Sequence, residues 1–535
     1  MKYSNKLFFG LLMITCFLMF SCIKQDDLKE MPHGFITPDN AFINKEGFES
    51  ALANLYRLSR GLITSEAYTN GDYAITVIYG SGTDLGWYNE KKLFYGNYDL
   101  INSTDVLAKE YWNQLYSIIK DCNVIITRLE TSTLSDNVKQ SIGAEAKFFR
   151  AYAYRFLVHL YGDVPMITTE INSPKFDYVR VPKSEILALM IEDLLYANSY
   201  LPVTNPGNGR LSKAAADHLL TETYISTGDY DKAIESASRI ISDGQYKLMT
   251  TRFGALANKP GDVFWDLFRE GNQNRLGGNT EAILVWQMQY GVQGGEARYM
   301  IERAWGPYIE LLVDSKKKKA IIPADSLGRG VGFFTPSPYL ETTIWLSDYQ
   351  NDIRNSKYNM QRVFYNNNPA SIEYLQPIIP RPEWLNRNYH VWVKKASCPY
   401  GHSQGYDAGG RLYTDIYAMR LAETYLLRAE AYLGKGDKTK AAADINMIRE
   451  RANATPVDEA EVDINYILDE RARELVIEEP HRLTLSRLGL LYERVVEYNP
   501  ISAGTIKPFH NLLPIPQSVI DANSGAELLQ NPGYN

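Results

Sequence analysis

Residues 144–167, AEAKFFRAYAYRFLVHLYGDVPMI, read as a helix without a wide polar face. Phe148, Phe149, Tyr152, Tyr154, Phe156, Leu157, Leu160 and Tyr161 cover nearly its whole circumference. Such a helix is buried, either inside a large protein or in a bilayer. Glu145, Lys147, Arg150, Arg155 and His159 interrupt the apolar surface and argue against the bilayer. Gly162 ends the helix, and Pro165 follows, as expected at a C-terminus. Other helices must therefore pack around this one. His159 has no His or Cys close to it in sequence, so it reads as a hydrogen-bonded core or helix-end histidine rather than a metal ligand.

The chain begins with a targeting pattern. Lys2 and Lys6 precede an apolar run from Leu7 to Phe20, too short to span a bilayer comfortably. Phe20-Ser21-Cys22 looks like a bacterial lipobox, in which a small residue precedes a cysteine whose thiol takes a lipid. Residues 1–21 would then be removed, leaving Cys22 as a lipidated (diacylglycerol, palmitate) N-terminus that tethers the protein without spanning the membrane. An ordinary secretory signal with a chance cysteine is the other reading. Lys24-Gln25-Asp26-Asp27 is similar to the acidic tags of surface-exposed lipoproteins. Without Lys2 and Lys6, 54 basic side chains face 63 acidic ones, a net charge of −9 that argues against a nucleic-acid partner. Lys316–Lys319 reads as a solvated turn or helix end. Cys122 and Cys398 have neither a disulfide framework nor zinc spacing. They are two buried thiols or one pair.

Helical periodicity dominates the first third, through Phe42, Phe48, Leu52, Leu55 and Tyr56, and again from Leu107 to Leu129. Between them, Ile63 to Asn102 mixes glycines with Tyr68, Tyr73, Tyr79, Trp87, Tyr88, Tyr95 and Tyr98, which suggests a surface loop displaying rings. An internal repeat appears further on. Tyr224, Gly228 and Ala233 recur as Tyr432, Gly436 and Ala441 with the same spacings, each glycine followed by aspartate. That is the pattern of a tetratricopeptide helix pair, whose small residues let two helices approach across a tight turn. Helices at 144–161 and 183–201 are expected to add members. The fold class is therefore mainly α, a tetratricopeptide-like helical scaffold, and such a solenoid performs no chemistry by itself.

Residues 252–410 differ in character. Pro336, Pro338, Pro369, Pro377, Pro380, Pro382 and Pro399 interrupt helical periodicity, and only Ala282–Trp286 alternates like a short strand. Long irregular segments on rigid scaffolds commonly carry binding sites. The sequence has no HExxH, P-loop or GxGxxG motif. Gly401-His402-Ser403-Gln404-Gly405 matches GxSxG but lacks the strand-turn-helix context of a nucleophile elbow. Glu478-Glu479-Pro480-His481-Arg482 continues a charged helix and reads as a structural ion-pair network. No cofactor is implied, and binding is favoured over catalysis.

The AEA-x-F-x-RA-x-AY helix running into YGDVP resembles the SusD/RagB family of outer-membrane lipoproteins, and the likeness extends over essentially the whole chain. Its carriers are the Cys22 lipobox, Gly209–Ala216, the block Arg420–Arg451 with Leu427-Arg428-Ala429-Glu430-Ala431, Ile467–Leu475, Leu512-Leu513-Pro514-Ile515-Pro516, and the ending Gln530-Asn531-Pro532-Gly533-Tyr534. Ile477–Arg482 departs from the family's aromatic-Glu-Gly-x-Arg turn. The resemblance implies four tetratricopeptide-like units packed against a loop-rich lobe. On that basis residues 1–21 are the signal peptide, 22–250 an N-terminal helical region, and 251–535 a C-terminal region holding the insert and a helix pair at 411–451. It further implies a lipid-anchored outer-membrane protein, facing outward, that captures an oligosaccharide or polysaccharide. The partner implied is a SusC-like TonB-dependent transporter, to which the glycan is passed. Peptide or another non-glycan nutrient is the alternative ligand, and a surface glycosidase the weaker one.

Ligand loops of this family vary, so the expected site rests on chemistry. Sugars present C–H faces to aromatic rings and hydroxyls to carboxylates and amides. Asp84, Trp87, Tyr88 and Asn89 offer such a set in one loop, near where the family's ligand loop lies. Trp286, Tyr290, Arg298 and Trp305 are expected to supply an opposite wall.

Overall fold

The computed structural model describes residues 41–89, 96–207, 209–297, 299–324, 327–385, 387–397 and 409–534. The signal segment, Cys22, Arg298, Cys398 and the Gly401–Gly405 motif lie outside them.

The chain is mainly helical. Helix α1 (Lys45–Gly61) is capped by Asn44, whose side chain accepts from the Gly47 N–H, and it buries Phe48, Leu52 and Leu55. Helix α2 (Gly71–Tyr79) follows, then α3 (Val106–Thr131) and α4 (Asp136–Leu160). From Ile142 to Leu160, α4 is buried at all but one position, as its sequence predicts. It ends at Gly162, whose φ of 75° is a left-handed value. His159 is buried at this end, but both its ring nitrogens lack a hydrogen-bond partner among the described residues. Burial pushes its pKa well below the ordinary histidine value. The core position agrees with expectation; the hydrogen bond does not, because Glu222 approaches no nearer than 4.0 Å and is engaged by Arg155.

Helices α5 (Lys183–Tyr200), α6 (Lys213–Thr227) and α7 (Tyr230–Ser242) continue the stack, each packed on its predecessor. The second repeat, α8 (Leu421–Gly434) and α9 (Lys438–Arg451), packs through α8 against α7. The two turns are copies of one another. Gly228 and Gly436 adopt φ of 77° and 79°. Asp229 and Asp437 then cap the next helix by accepting from the N–H groups of Lys232 and Lys440. Gly434 lies so close to Tyr230 that a Cβ there would sit 2.5 Å from its ring, so the repeats meet at a small residue.

Among the described residues, three two-stranded antiparallel ribbons each include at least one strand of the irregular insert. Strand β1 (Gly86–Tyr88) pairs with β3 (Phe334–Pro336), β2 (Ala282–Trp286) with β6 (Ile416–Arg420), and β4 (Met360–Gln361) with β5 (Trp392–Val393). The expected strand at 282–286 is present, fully buried and paired with the segment entering α8. The 316–319 lysine run forms an exposed turn closed by Asp314, which accepts from the Lys316 and Lys318 N–H groups.

Helices α10 (Ile464–Leu475), α11 (His481–Leu488) and α12 (Leu491–Tyr498) complete the scaffold. Buried charges join it to the insert. Glu474 accepts from Arg354, Arg420 and Arg451, and Glu281 from Arg420 and Arg451. Glu470 binds Arg354, Arg449 and Arg473, while Lys395 and Arg420 share Glu478. Burial alone would raise the Glu470 pKa, but Arg354, Arg473 and Arg449 lower it to about 2. The 478–482 cluster thus belongs to a structural network. The turn before it contains Ile477 at φ 66°, a costly conformation for a β-branched residue, and the ion pairs of Glu478 and Glu479 fix the turn from beyond.

Candidate functional site

The stretch expected to be a loop displaying rings is largely core. Tyr68, Tyr73, Tyr79, Tyr88 and Tyr98 are all at most 5% exposed. The run Tyr73-Ala74-Ile75-Thr76-Val77-Ile78-Tyr79 forms α2 and is apolar all round, so it is enclosed like α4. Two phenols of the stretch find backbone acceptors, Tyr68 at Leu62 O (2.8 Å) and Tyr79 at Ile63 O (3.2 Å). Trp87 is half-buried and remains available.

The β1–β3 ribbon explains the difference between neighbours. Successive residues of a strand point to opposite faces. Tyr88 points inward, edge-on to Tyr73 at 5.1 Å. Opposite it, Phe334 is buried and stacks on Trp305 at 3.7 Å between centroids. Trp87 lies opposite Thr335, on the outward face that it shares with Asn89. Asn89 accepts from the Thr335 hydroxyl at 2.7 Å, and its amide donates to Gly332 O at 2.6 Å. The Asn89 side chain therefore clips the two strands together beside Trp87.

Asp84 is fully buried below this ribbon. It accepts from His481 Nε2 at 2.7 Å and from Arg494 Nε at 2.8 Å. Burial opposes ionisation, yet His481 and Arg494 hold its carboxyl well below the usual carboxylate range. Burial likewise opposes the charged imidazole, but Asp84 and Glu479 raise the His481 pKa to about 9. Asn499 donates to the carbonyls of Thr83 and Gly86 at 2.7 and 2.9 Å. Asp84 thus anchors the loop to α11 and α12 and is too deep to meet a ligand, which corrects its expected role.

The outer flank of the ribbon holds residues that the sequence did not single out. Phe333 is half-buried and lies parallel to Tyr88, with ring centroids 5.9 Å apart. The guanidinium groups of Arg303 and Arg387 sit 5.4 and 5.6 Å from its centroid. Arg387 and Arg329 also lie over Tyr308, at 5.5 and 5.1 Å. Asp72 pairs with Arg303 at 3.0 Å and Glu310 with Arg329 at 3.2 Å. Asp72 belongs to α2 and Arg303 to the short helix Ile301–Trp305, whereas the others lie between Tyr308 and Arg387, and no local motif announces them.

The expected opposite wall is not assembled as one surface. Trp305 is 1% exposed and supports the ribbon from beneath. Trp286 is also 1% exposed, packed among Tyr56, Phe149 and Tyr152. A cleft of about 290 Å³ opens beside it, rimmed by Tyr56, Arg57, Arg60 and Arg210. Tyr88 is core. These three aromatic rings offer no free face to a ligand, because each is already covered by other rings. Tyr290 is 53% exposed and meets Tyr413 edge-on at 5.0 Å. It joins the ribbon flank only indirectly, through the segment whose Gly410 accepts from the Arg303 N–H. Among the described residues no group of three His, Cys, Asp or Glu side chains is placed to hold a metal ion, and no helix is long and apolar enough to cross a membrane.

Comparison with known proteins agrees along the chain. The profile of the SusD family matches residues 338–534, and a second, described as starch-binding associating with outer membrane, matches residues 43–225. A SusD-like protein of Formosa agariphila is 24% identical, over 96% of both chains. The starch-binding protein SusD of Bacteroides thetaiotaomicron is 25% identical, over 78% of this chain and 76% of its own. Among solved structures, a laminarin-binding SusD-like protein superposes with a TM-score of 0.68 at 21% identity, covering 92% of this chain and 100% of that one. Surface glycan-binding protein A from Bacteroides thetaiotaomicron, in complex with laminarihexaose, gives 0.69 at 20% identity, covering 91% and 99%.

Proposed function

Because this chain belongs to the SusD/RagB family, whose members bind starch and other glycans, we propose that it is a cell-surface lipoprotein that captures an oligosaccharide or polysaccharide. The captured glycan passes to a SusC-like TonB-dependent transporter, which supplies the energy, so the chain itself catalyses nothing. Cys22 carries the lipid that anchors the protein to the outer membrane. The observation that carries the capture reading is Trp87 on the outward face of the β1–β3 ribbon, beside the arginine-flanked ring of Phe333. An indole offers a flat face for the C–H side of a sugar, and guanidinium groups donate to hydroxyls.

Titration calorimetry of the purified protein against plant, host and microbial glycans, with reducing-sugar release followed in parallel, tests this reading. One glycan class binds without release, and Trp87→Ala weakens it about tenfold, the value of one stacked ring. Release of sugar would make the protein a glycosidase. The three arginines around Phe333 and Tyr308 favour a second reading, an acidic peptide as ligand. Peptide binding with no response to any glycan would select it.

A further inference from the structure

Residues 363–379 of the insert form a hairpin that is apolar on both faces. Tyr365 pairs with Pro377, the Ile378 N–H donates to Phe364 O at 2.8 Å, and the Asn366 N–H donates to Gln376 O at 3.0 Å. Side chains alternate between the two faces along each arm. Phe364 and Ile378 point inward, into a small core with Trp384, Tyr389 and Trp392. Val363, Tyr365 and Ile379 point outward and are exposed, Ile379 by 74%. A hairpin with one buried face ordinarily turns polar residues to the other. At the tip, Ile372 is 68% and Leu375 63% exposed, beside an exposed Tyr374. Leu375 has a φ of 62°, a left-handed value that glycine adopts freely and leucine does not. Neither the turn nor the core gains from a leucine there. Exposed apolar surface of this kind marks an interaction site.

Two further features select its partner. The first is the lysine turn, which is clipped to the tip. Asn367 exchanges hydrogen bonds with the Ile322 backbone at 2.7 and 2.8 Å, Asn368 donates to Lys319 O at 2.7 Å, and Glu373 accepts from the Ser315 N–H at 3.1 Å. Lys316, Lys317, Lys318 and Lys319 are all exposed, so four ammonium groups border the apolar tip. Asp314, at the start of the turn, accepts from the N–H groups of Lys316, Lys318 and Ile372 and from the Ser371 hydroxyl. The second feature is the backbone. From Asn366 to Ile378 every backbone N–H has a partner within the chain, and Pro369 and Pro377 have none to pair. Entry into an apolar phase therefore leaves none of these N–H groups unsatisfied. A lipid layer with anionic headgroups matches this surface. It takes aliphatic side chains into its acyl boundary, tyrosine at the headgroup level and lysines on its phosphates. A fluid layer also closes around a projecting tip without a matching groove.

We propose that this tip is a membrane-contact surface, resting on an anionic lipid layer with Ile372, Leu375 and Ile379 in the acyl boundary and the lysine turn on the phosphates. The chain from residue 23 onward keeps every described residue and carries neither the apolar leader nor a lipid. It is sedimented with phosphatidylcholine vesicles containing about one third phosphatidylglycerol, and with pure phosphatidylcholine vesicles. It binds the anionic vesicles about tenfold or more tighter than the neutral ones, and the difference collapses in about 0.5 M NaCl. Leu375→Gly suits the left-handed turn and Ile379→Ser alters an exposed side chain, so the double variant keeps its melting temperature while vesicle binding weakens about tenfold. Glycan affinity is unchanged in it, so membrane contact and glycan capture fail separately. Lys316→Gln with Lys319→Gln lowers the preference for anionic vesicles. Binding to neither vesicle overturns the proposal and leaves the face to a protein partner. Equal binding to both vesicles, or full retention in the Leu375→Gly, Ile379→Ser variant, overturns it as well.

Discussion

Gly86 shows how narrowly one residue controls the ribbon. A Cβ at that position would sit 2.2 Å from the Thr335 carbonyl oxygen and 2.6 Å from the Phe334 ring. Gly86→Ala must therefore open the β1–β3 pairing, at a cost of about 2 kcal/mol or more. Urea unfolding reads that loss, and glycan affinity should fall with it; unchanged affinity would separate binding from the ribbon. His481 carries a pH signature. Its folded pKa, about 9, lies above the unfolded value near 6.5, so its stabilisation is complete below about 6.5. It is lost as pH rises toward 9. Melting temperature should decline over that window, and His481→Gln should remove the slope while lowering stability throughout. A flat wild-type profile would refute the charged His481–Asp84 pair.

The repeats are tested at the level of elements. Gly228 and Gly436 occupy equivalent left-handed positions, and nothing lies within 4 Å of a Cβ built at either. Alanine there meets no clash, so its cost is conformational alone, about 1 kcal/mol at each site. Denaturant unfolding of the two variants should give equal losses, with glycan binding unchanged. Unequal losses would mean that the turns are alike in sequence but not in mechanics. These helix pairs were legible beforehand because their turn chemistry and 3.6-residue period are local properties. The 63–102 region was misread for the same reason: alternating glycines and rings carry no local mark of being enclosed by α3, α4 and α11.

Across the molecule, stability rests on carboxylates buried beside arginines. Glu423 and Glu470 are lowered to about 2, burial being overcome by His218 and Arg471 in one case and by Arg354, Arg473 and Arg449 in the other. A carboxylate with a depressed folded pKa stabilises above its unfolded value, near 4.5, and that contribution disappears as pH falls toward 2. Acid unfolding followed by circular dichroism should therefore begin below about pH 4.5 and reach completion near pH 2. A midpoint above pH 5 would show that these pairs do not hold the fold together. Replacing one partner, as in Glu474→Gln, leaves Arg354, Arg420 and Arg451 facing a neutral group and should cost about 3 kcal/mol or more.

The sequence alone determined the mainly helical class, the buried α4, the duplicated helix pair and membership of the SusD/RagB family. The first two follow from periodicity and turn residues within short stretches, the duplicated pair from equal spacings in two distant segments, and the family from motifs spread along the chain. It also pointed to Trp87, through an aromatic ring set among polar neighbours. Only the tertiary structure decided which candidate rings are exposed. Trp87 and Tyr88 are adjacent, yet pairing with Phe334–Pro336 turns one outward and the other into the core. Asp84 became an anchor because His481, 397 residues away, donates to it. Trp286 and Trp305 disappeared from the surface because distant aromatic rings close over them. Local pattern fixes what a segment becomes, whereas exposure depends on what the rest of the chain places against it.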